Sequence, residues 1–221
     1  MQKKIGPFII LFVILVLPLI TYFVLRTGTH RVAQLKILSP KIASPDGSPD
    51  SVFKVIGDLA FPSQTGDIIT QDSVADVIYV TDVFFSTCPG ICPKLSAGMQ
   101  KIQEAFKSDP SVKLLSISVD PEHDSIPVLR DYADRYEAID HKWYFLTGNK
   151  KDIYELAHRE FLFRATEDST QEIKFVHDNT LRLIDKEGRF RGMFYDGTNP
   201  MEVDSAIAHI KVLQREYAQG E

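Results

Sequence analysis

A chain of 221 residues, 44% hydrophobic and 25% charged, has room for one or two folded domains with an ordinary core. Its net charge is −5, and all 30 acidic residues lie beyond residue 26, against 22 of the 25 basic ones. The region that can fold is therefore acidic, which excludes nucleic acid as its partner, and its two cysteines, Cys88 and Cys92, close too small a loop to serve as a structural staple.

Ile5–Leu25 is uncharged and almost wholly apolar. As a helix it reaches about 31 Å, matching the roughly 30 Å hydrocarbon core of a bilayer. Lys3 and Lys4 place the N-terminus in the cytoplasm by the positive-inside bias, although Arg26 and Arg31 follow. A cleaved signal peptide is the alternative, but the run exceeds the typical signal core of about 7–15 residues, and no small-x-small site follows Leu25. Residues 1–26 thus read as a cytoplasmic stub and single-pass transmembrane anchor, with the globular part on the periplasmic side of a bacterial inner membrane. Residues 27–51, rich in turn formers at Ser39-Pro40 and Ser44-Pro45-Asp46-Gly47-Ser48-Pro49-Asp50, read as a flexible linker, and 52–221 as the folded domain.

In that domain, short strands are expected at Phe53–Ile56 and Ile68–Thr70 around the turn Gln64-Thr65-Gly66-Asp67. Val77–Phe85 has the unbroken apolar character of a strand buried on both faces. A helix starting at Pro93 follows, with Leu95, Met99, Ile102 and Phe106 on one side and Asp109-Pro110 as its stop. Then come a strand at Val112–Val119, a helix at Ser125–Tyr136, a strand at Lys142–Leu146, a helix at Asp152–Phe161 and a polar loop at Thr166–Glu172. Strands at Phe175–Asp185 and Arg189–Tyr195 join at Lys186-Glu187-Gly188, and Glu202–Tyr217 closes the chain as an amphipathic helix. Alternating strands and helices before a late hairpin predict an α/β fold, a mixed central sheet with helices on both faces.

The chemistry concentrates at the end of Val77–Phe85. Cys88 and Cys92 are four apart, a spacing that puts side chains on one face of a helical turn. Pro89 and Gly90 call for a tight loop between them, and the helix start beyond offers unpaired amides and partial positive charge, which favour thiolate. Two sulfurs so placed can form a redox pair or hold a soft metal ion. Among the histidines, His30, His141, His158 and His209 read as structural or solvated. His177, at the start of a buried-looking strand after a polar loop, is the candidate third ligand, although such a histidine is more often simply hydrogen-bonded. Asp120-Pro121-Glu122-His123-Asp124 follows a strand, at the carboxyl end where sites gather in open sheets. The plainer reading of that segment is a turn plus a helix cap, with Asp124 or Ser125 capping ahead of Pro127.

Phe84-Phe85-Ser86-Thr87-Cys88-Pro89-Gly90-Ile91-Cys92-Pro93 resembles the Phe-x-x-x-Cys-Pro-x-x-Cys-Pro signature of the SCO/SenC proteins, and Ser118-Val119-Asp120-Pro121-Glu122-His123-Asp124 resembles their Asp-Pro-x-x-Asp segment. His177 stands 11 residues before Gly188, as the family's metal-binding histidine does. The resemblance covers Val52–Tyr217 and implies a thioredoxin-like domain that binds one copper ion, Cu(I) or Cu(II), through Cys88, Cys92 and His177. It implies delivery of that copper to the dinuclear copper site of cytochrome c oxidase, with the copper-site subunit as partner and other periplasmic copper carriers as further ones. It further implies that Asp120, with His123 and Asp124 beside it, supports the ligands from behind or meets a partner. This chain departs from the family in Asp178-Asn179 after the histidine, where many members have Asp before it and Thr after it, and in Gly90, where the family is often acidic. Neither departure removes a ligand.

Soft thiolates select Cu(I), and a structural zinc site would want a fourth protein ligand. The competing function is a thiol–disulfide oxidoreductase, with Cys88 and Cys92 as a redox-active disulfide that maintains the thiols of the oxidase copper site or of other exported proteins. Thioredoxin-type reductases place two residues between their cysteines, usually with Trp before the first. This chain has three residues there, with Thr87 before Cys88.

Overall fold

The structure is a computed structural model and describes residues 6–27, 34–44, 50–57, 59–167, 175–177 and 179–220. The chain divides into two compact units, Met1–Ala33 and Gln34–Glu221. In the first, Gly6–Thr27 forms helix α1, with Pro18 inside it. Phe12, Ile14, Leu15, Leu17, Leu19, Ile20 and Tyr22 are each more than half exposed, so the helix is apolar around its circumference. Side chains are described only over 12–22 of this helix, and among the described residues no helix is long and apolar enough to cross a membrane.

The second unit opens with β1 (Lys41–Ala43), paired antiparallel with β2 (Ser51–Phe53), and β3 (Ala60–Pro62), paired with β4 (Ile68–Thr70). The turn expected at 64–67 therefore joins β3 to β4, and Phe53 pairs with Lys41 instead. Residues 34–44, inside the stretch read as a linker, are bound to the domain. Leu35 and Leu38 pack on the core, Leu38 N donates to Phe190 O at 2.8 Å, and Phe190 N donates to Ser39 Oγ at 2.9 Å. The turn-forming residues dominate the reading of this stretch, whereas the apolar side chains of Leu35-Lys36-Ile37-Leu38 decide its structure.

The core sheet runs β11-β10-β5-β6-β7. Its parallel part is β5 (Ile78–Phe84), β6 (Val112–Ser118) and β7 (Trp143–Leu146), joined by helices α2 (Ile91–Ala105) and α3 (Ile126–Arg135). Helix α4 (Lys150–Glu155) continues as a π-helical turn, Leu156–Glu160. Next come a separate ribbon, β8 (Ala165–Glu167) with β9 (Phe175–His177), and then β10 (Thr180–Ile184) and β11 (Tyr195–Asp196), both antiparallel additions to the sheet. Helix α5 (Pro200–Gly220) ends the described chain. The expected single strand 175–185 is thus two strands, and only the second joins the sheet.

All seven residues of β5 are buried, as a β-branched and aromatic run at the centre of a covered sheet must be. Successive side chains point to opposite faces. Phe84 packs on Tyr132 of α3 (ring centroids 4.8 Å apart), whereas Tyr79 meets Phe161, beyond α4, edge-on at 6.3 Å. Helix α2 lies with α3, through Ser96 Oγ to Tyr132 Oη at 2.9 Å and Gln103 Nε2 to Glu137 O at 3.0 Å. It also lies so close to the turn before α5 that any side chain at Gly98 would collide with the Gly197 carbonyl oxygen. Both faces are covered, and the mixed α/β sheet expected from the sequence is present.

Candidate metal and redox site

β5 delivers the cysteines. Beyond Phe84 the backbone turns, Cys88 N donating to Phe85 O at 3.2 Å, and α2 begins at Ile91 with Gly90 as N-cap and no capping side chain. The helix starts two residues earlier than Pro93 implied, so Cys92 sits in its first turn. Both cysteines are thiols and both are buried, Cys92 completely. The helix start folds the pair against the sheet. The two thiols hydrogen-bond each other, and Cys92 also meets the Phe85 backbone.

The helix end does not make Cys92 a thiolate. Its hydrogen bond with Cys88 is the largest influence and pushes its pKa up, burial adds to that, and the charges of Cys88 and Asp82 act in the same direction. Only the Phe85 backbone pulls it down. Asp82 is itself fully buried in β5. Ser116 Oγ donates to Asp82 Oδ1 at 2.5 Å and in turn accepts from Trp143 Nε1 at 2.9 Å, so a polar chain crosses three strands beneath Cys92.

The loop from β6 to α3 forms the second wall. Asp124 is fully buried and does not cap α3; Ser125 is the N-cap. Asp124 instead reaches across to the cysteine loop. Its Oδ2 accepts from Ser86 N at 3.1 Å and Ser118 Oγ at 2.5 Å, and its Oδ1 accepts from Ser86 Oγ. His123 Nδ1 lies 3.1 Å from Asp124 Oδ1 and 3.3 Å from Ser86 Oγ, while half of its side chain faces solvent. Asp120 N donates to Ser118 Oγ at 3.1 Å, and its carboxyl pKa is raised by burial and then by the charge of Asp124. Asp82 and Ser116 carried no signal in the sequence, because a lone carboxylate or hydroxyl inside an apolar strand makes no motif, and Ser86 and Ser118 lie in the two quoted segments without being singled out.

His177 belongs to a third element. It is the last residue of β9, paired with Ala165 of β8. β10, which starts at Thr180, runs antiparallel to β5 with Arg182 opposite Thr81, so its first residue lies toward the end of β5 that leads into Cys88. The side chain of His177 and residues 168–174 and 178 are outside the described residues, as is His30. Among the described residues no group of three or more His, Cys, Asp or Glu side chains is placed to hold a metal ion. His209 Nδ1 is bonded to Tyr195 Oη at 2.7 Å, and His158 leans on the Tyr154 ring, consistent with structural roles for both.

The SCO1/SenC family model matches residues 48–212. A SCO1 protein homolog of Bacillus subtilis is 28% identical over 155 residues, which is 69% of this chain and 79% of that protein. A SCO2-like protein of Rickettsia prowazekii is 26% identical over 92% of this chain and 96% of its own length. Among solved structures, a SCO1/SenC family lipoprotein from Bacillus anthracis superposes with a TM-score of 0.66 at 24% identity, over 72% of this chain and 95% of that one. BsSco, a member of the Sco family of cytochrome c oxidase assembly proteins in which a disulfide switch was identified, gives 0.65 at 25% identity, over 82% and 98%. Bradyrhizobium japonicum ScoI with copper bound gives 0.61 at 21% identity, over 72% and 99%.

Proposed function

Since the chain belongs to the SCO1/SenC family, we propose that it is a membrane-anchored copper metallochaperone whose cargo is held by Cys88, Cys92 and His177. The observation that carries this reading is the pair of thiols in hydrogen-bond contact at the start of α2, with the β9–β10 segment brought toward the same end of β5 by the sheet register. Two neighbouring sulfurs and one imidazole suit Cu(I), and the same set accommodates Cu(II). Sco relatives crystallised with copper support the choice of metal.

The chain's own residues prepare the thiols. Asp124, held by Ser86 and Ser118, ties the cysteine loop to the β6–α3 loop and limits how far Cys88 can move. Copper displaces the thiol protons, so the raised pKa of Cys92 makes binding stronger as pH rises. Asp120 and the exposed edge of His123 face outward from this support and are the side chains a partner meets. The partner is the copper-site subunit of cytochrome c oxidase, with other periplasmic copper carriers upstream. Helix α1, apolar on all sides, anchors the chain in the inner membrane with the domain on the periplasmic side.

A thiol–disulfide oxidoreductase is the second reading. The contact between the two thiols favours it, since a pair in contact can close to a disulfide, as the disulfide switch of BsSco illustrates for a relative. Titration of the reduced full-length chain in detergent with Cu(I), against a competing chelator, separates the two. The metallochaperone reading expects one copper per chain and weaker binding for Cys88→Ala, Cys92→Ala and His177→Ala. Full affinity in a folded His177→Ala protein overturns the ligand set, and disulfide turnover by metal-free protein that is indifferent to His177 favours the reductase.

A further inference from the structure

Arg182 occupies a position in β10 where a charged residue is hard to explain by packing alone. It is 1% exposed and pairs with Thr81 of the central strand. A cation so placed needs full compensation, and its partners have a pattern. The guanidinium lies between two aromatic rings, 4.4 Å from the centroid of Phe163 and 3.9 Å from that of Phe194. Its Nη2 donates to Leu162 O at 3.2 Å and its Nη1 donates to Thr180 Oγ1.

Leu162 and Phe163 come just before β8 begins at Ala165, and Thr180 comes just after β9 ends at His177. Ala165 and His177 are paired with each other, at the end of the ribbon where the chain enters β8 and leaves β9. One side chain therefore ties the residues that lead into β8 to the start of β10, three residues beyond His177.

We propose that Arg182 is the positioning residue for His177, fixing the base of the β8–β9 ribbon so that the histidine meets the cysteine pair. This rests on the reading that His177 is the third copper ligand. The role needs a planar fork with several donors and two stacking faces, which arginine has and lysine lacks. Methionine is the informative replacement, because it keeps apolar volume between the two rings and removes the clasp without leaving a buried charge.

The test is a double-mutant cycle in the full-length chain in detergent, comparing wild type, R182M, H177A and R182M/H177A. Cu(I) affinity is read by chelator competition, and amide exchange is read in the metal-free protein. Arg182→Met is expected to weaken copper binding by roughly 10- to 100-fold, the range for losing a group that orients a ligand, and to weaken it no further once His177 is alanine. In the metal-free protein, exchange at Ala165 and His177 should speed up at least ~10-fold, while Leu115 in β6 is unchanged. Wild-type affinity in R182M, or the same loss with and without His177, overturns the proposal. Full affinity in H177A overturns the ligand assignment and the proposal with it. Should R182M fail to fold, Phe194→Leu, at a position 41% exposed, removes the outer ring and carries the same cycle with the same criteria.

Discussion

Cys88 and Cys92 are suspended between a fully buried central strand and the first turn of α2, with Asp124 bonded across from the next loop. His177 ends a three-residue strand in a ribbon that, among the described residues, forms a two-stranded sheet of its own beside the main sheet that β10 joins. The first half is held by many groups that also hold the fold together. On the proposal made for Arg182, the second is held at its base by a few residues. Damage to the thiol half should therefore cost stability and copper together, whereas damage to the histidine half should cost copper alone.

The sharpest test of that contrast is Asp124→Ala. It strips the acceptor from Ser86 N, Ser86 Oγ and Ser118 Oγ in a fully buried place. Chemical denaturation should show a loss of about 3 kcal/mol, with copper affinity reduced as well; wild-type stability would mean that the two loops are not tied through this carboxylate. Cys92→Ala or Cys88→Ala should lower Cu(I) affinity more than ~100-fold, beyond what losing an outer partner costs, as read by chelator competition.

His177→Ala should lower affinity tenfold or more (at least about 1.4 kcal/mol) while leaving the thermal midpoint of the metal-free protein unchanged. A clear drop in that midpoint would erase the difference between the halves. Alkaline pH acts on the thiol half. Cys92 and Tyr132 both have pKa values raised above their ordinary 9.0 and 10.0, Cys92 by its hydrogen bond with Cys88 and Tyr132 by burial. The folded protein holds protons that the unfolded chain releases. The stability tied to these groups is therefore fully present below about pH 9 and is lost above it, by up to about 1.4 kcal/mol per pH unit for each group. Cys92→Ala should flatten that decline in denaturation curves taken at successive pH values. The smallest effect belongs to Glu122→Gln, which breaks a largely exposed pair with Lys150 and should change stability by no more than ~0.5 kcal/mol.

The cysteine motif, the buried strand before it, the helix after it and the mixed sheet were all legible in the residues themselves. Each is a local pattern of spacing, periodicity or turn chemistry, and the SCO/SenC resemblance rests on such patterns. Tertiary structure alone decided how these parts meet. Ser86 and Asp124 are 38 positions apart, and nothing near either residue indicates that they bond. Leu35 and Leu38 dock on the core because the hairpin at 183–191 offers Leu38 the Phe190 carbonyl and Leu35 the Arg191 guanidinium, which the turn formers around them conceal. Cys92 has a raised rather than lowered pKa because a neighbouring thiol and burial outweigh the helix end, a balance that depends on packing. Arg182 looks like one charged residue in an apolar strand until Leu162, Phe163 and Phe194 are brought around it. Local patterns fix what each segment becomes, whereas the partners of buried polar groups are chosen only when distant segments pack and each donor and acceptor must find its match away from water.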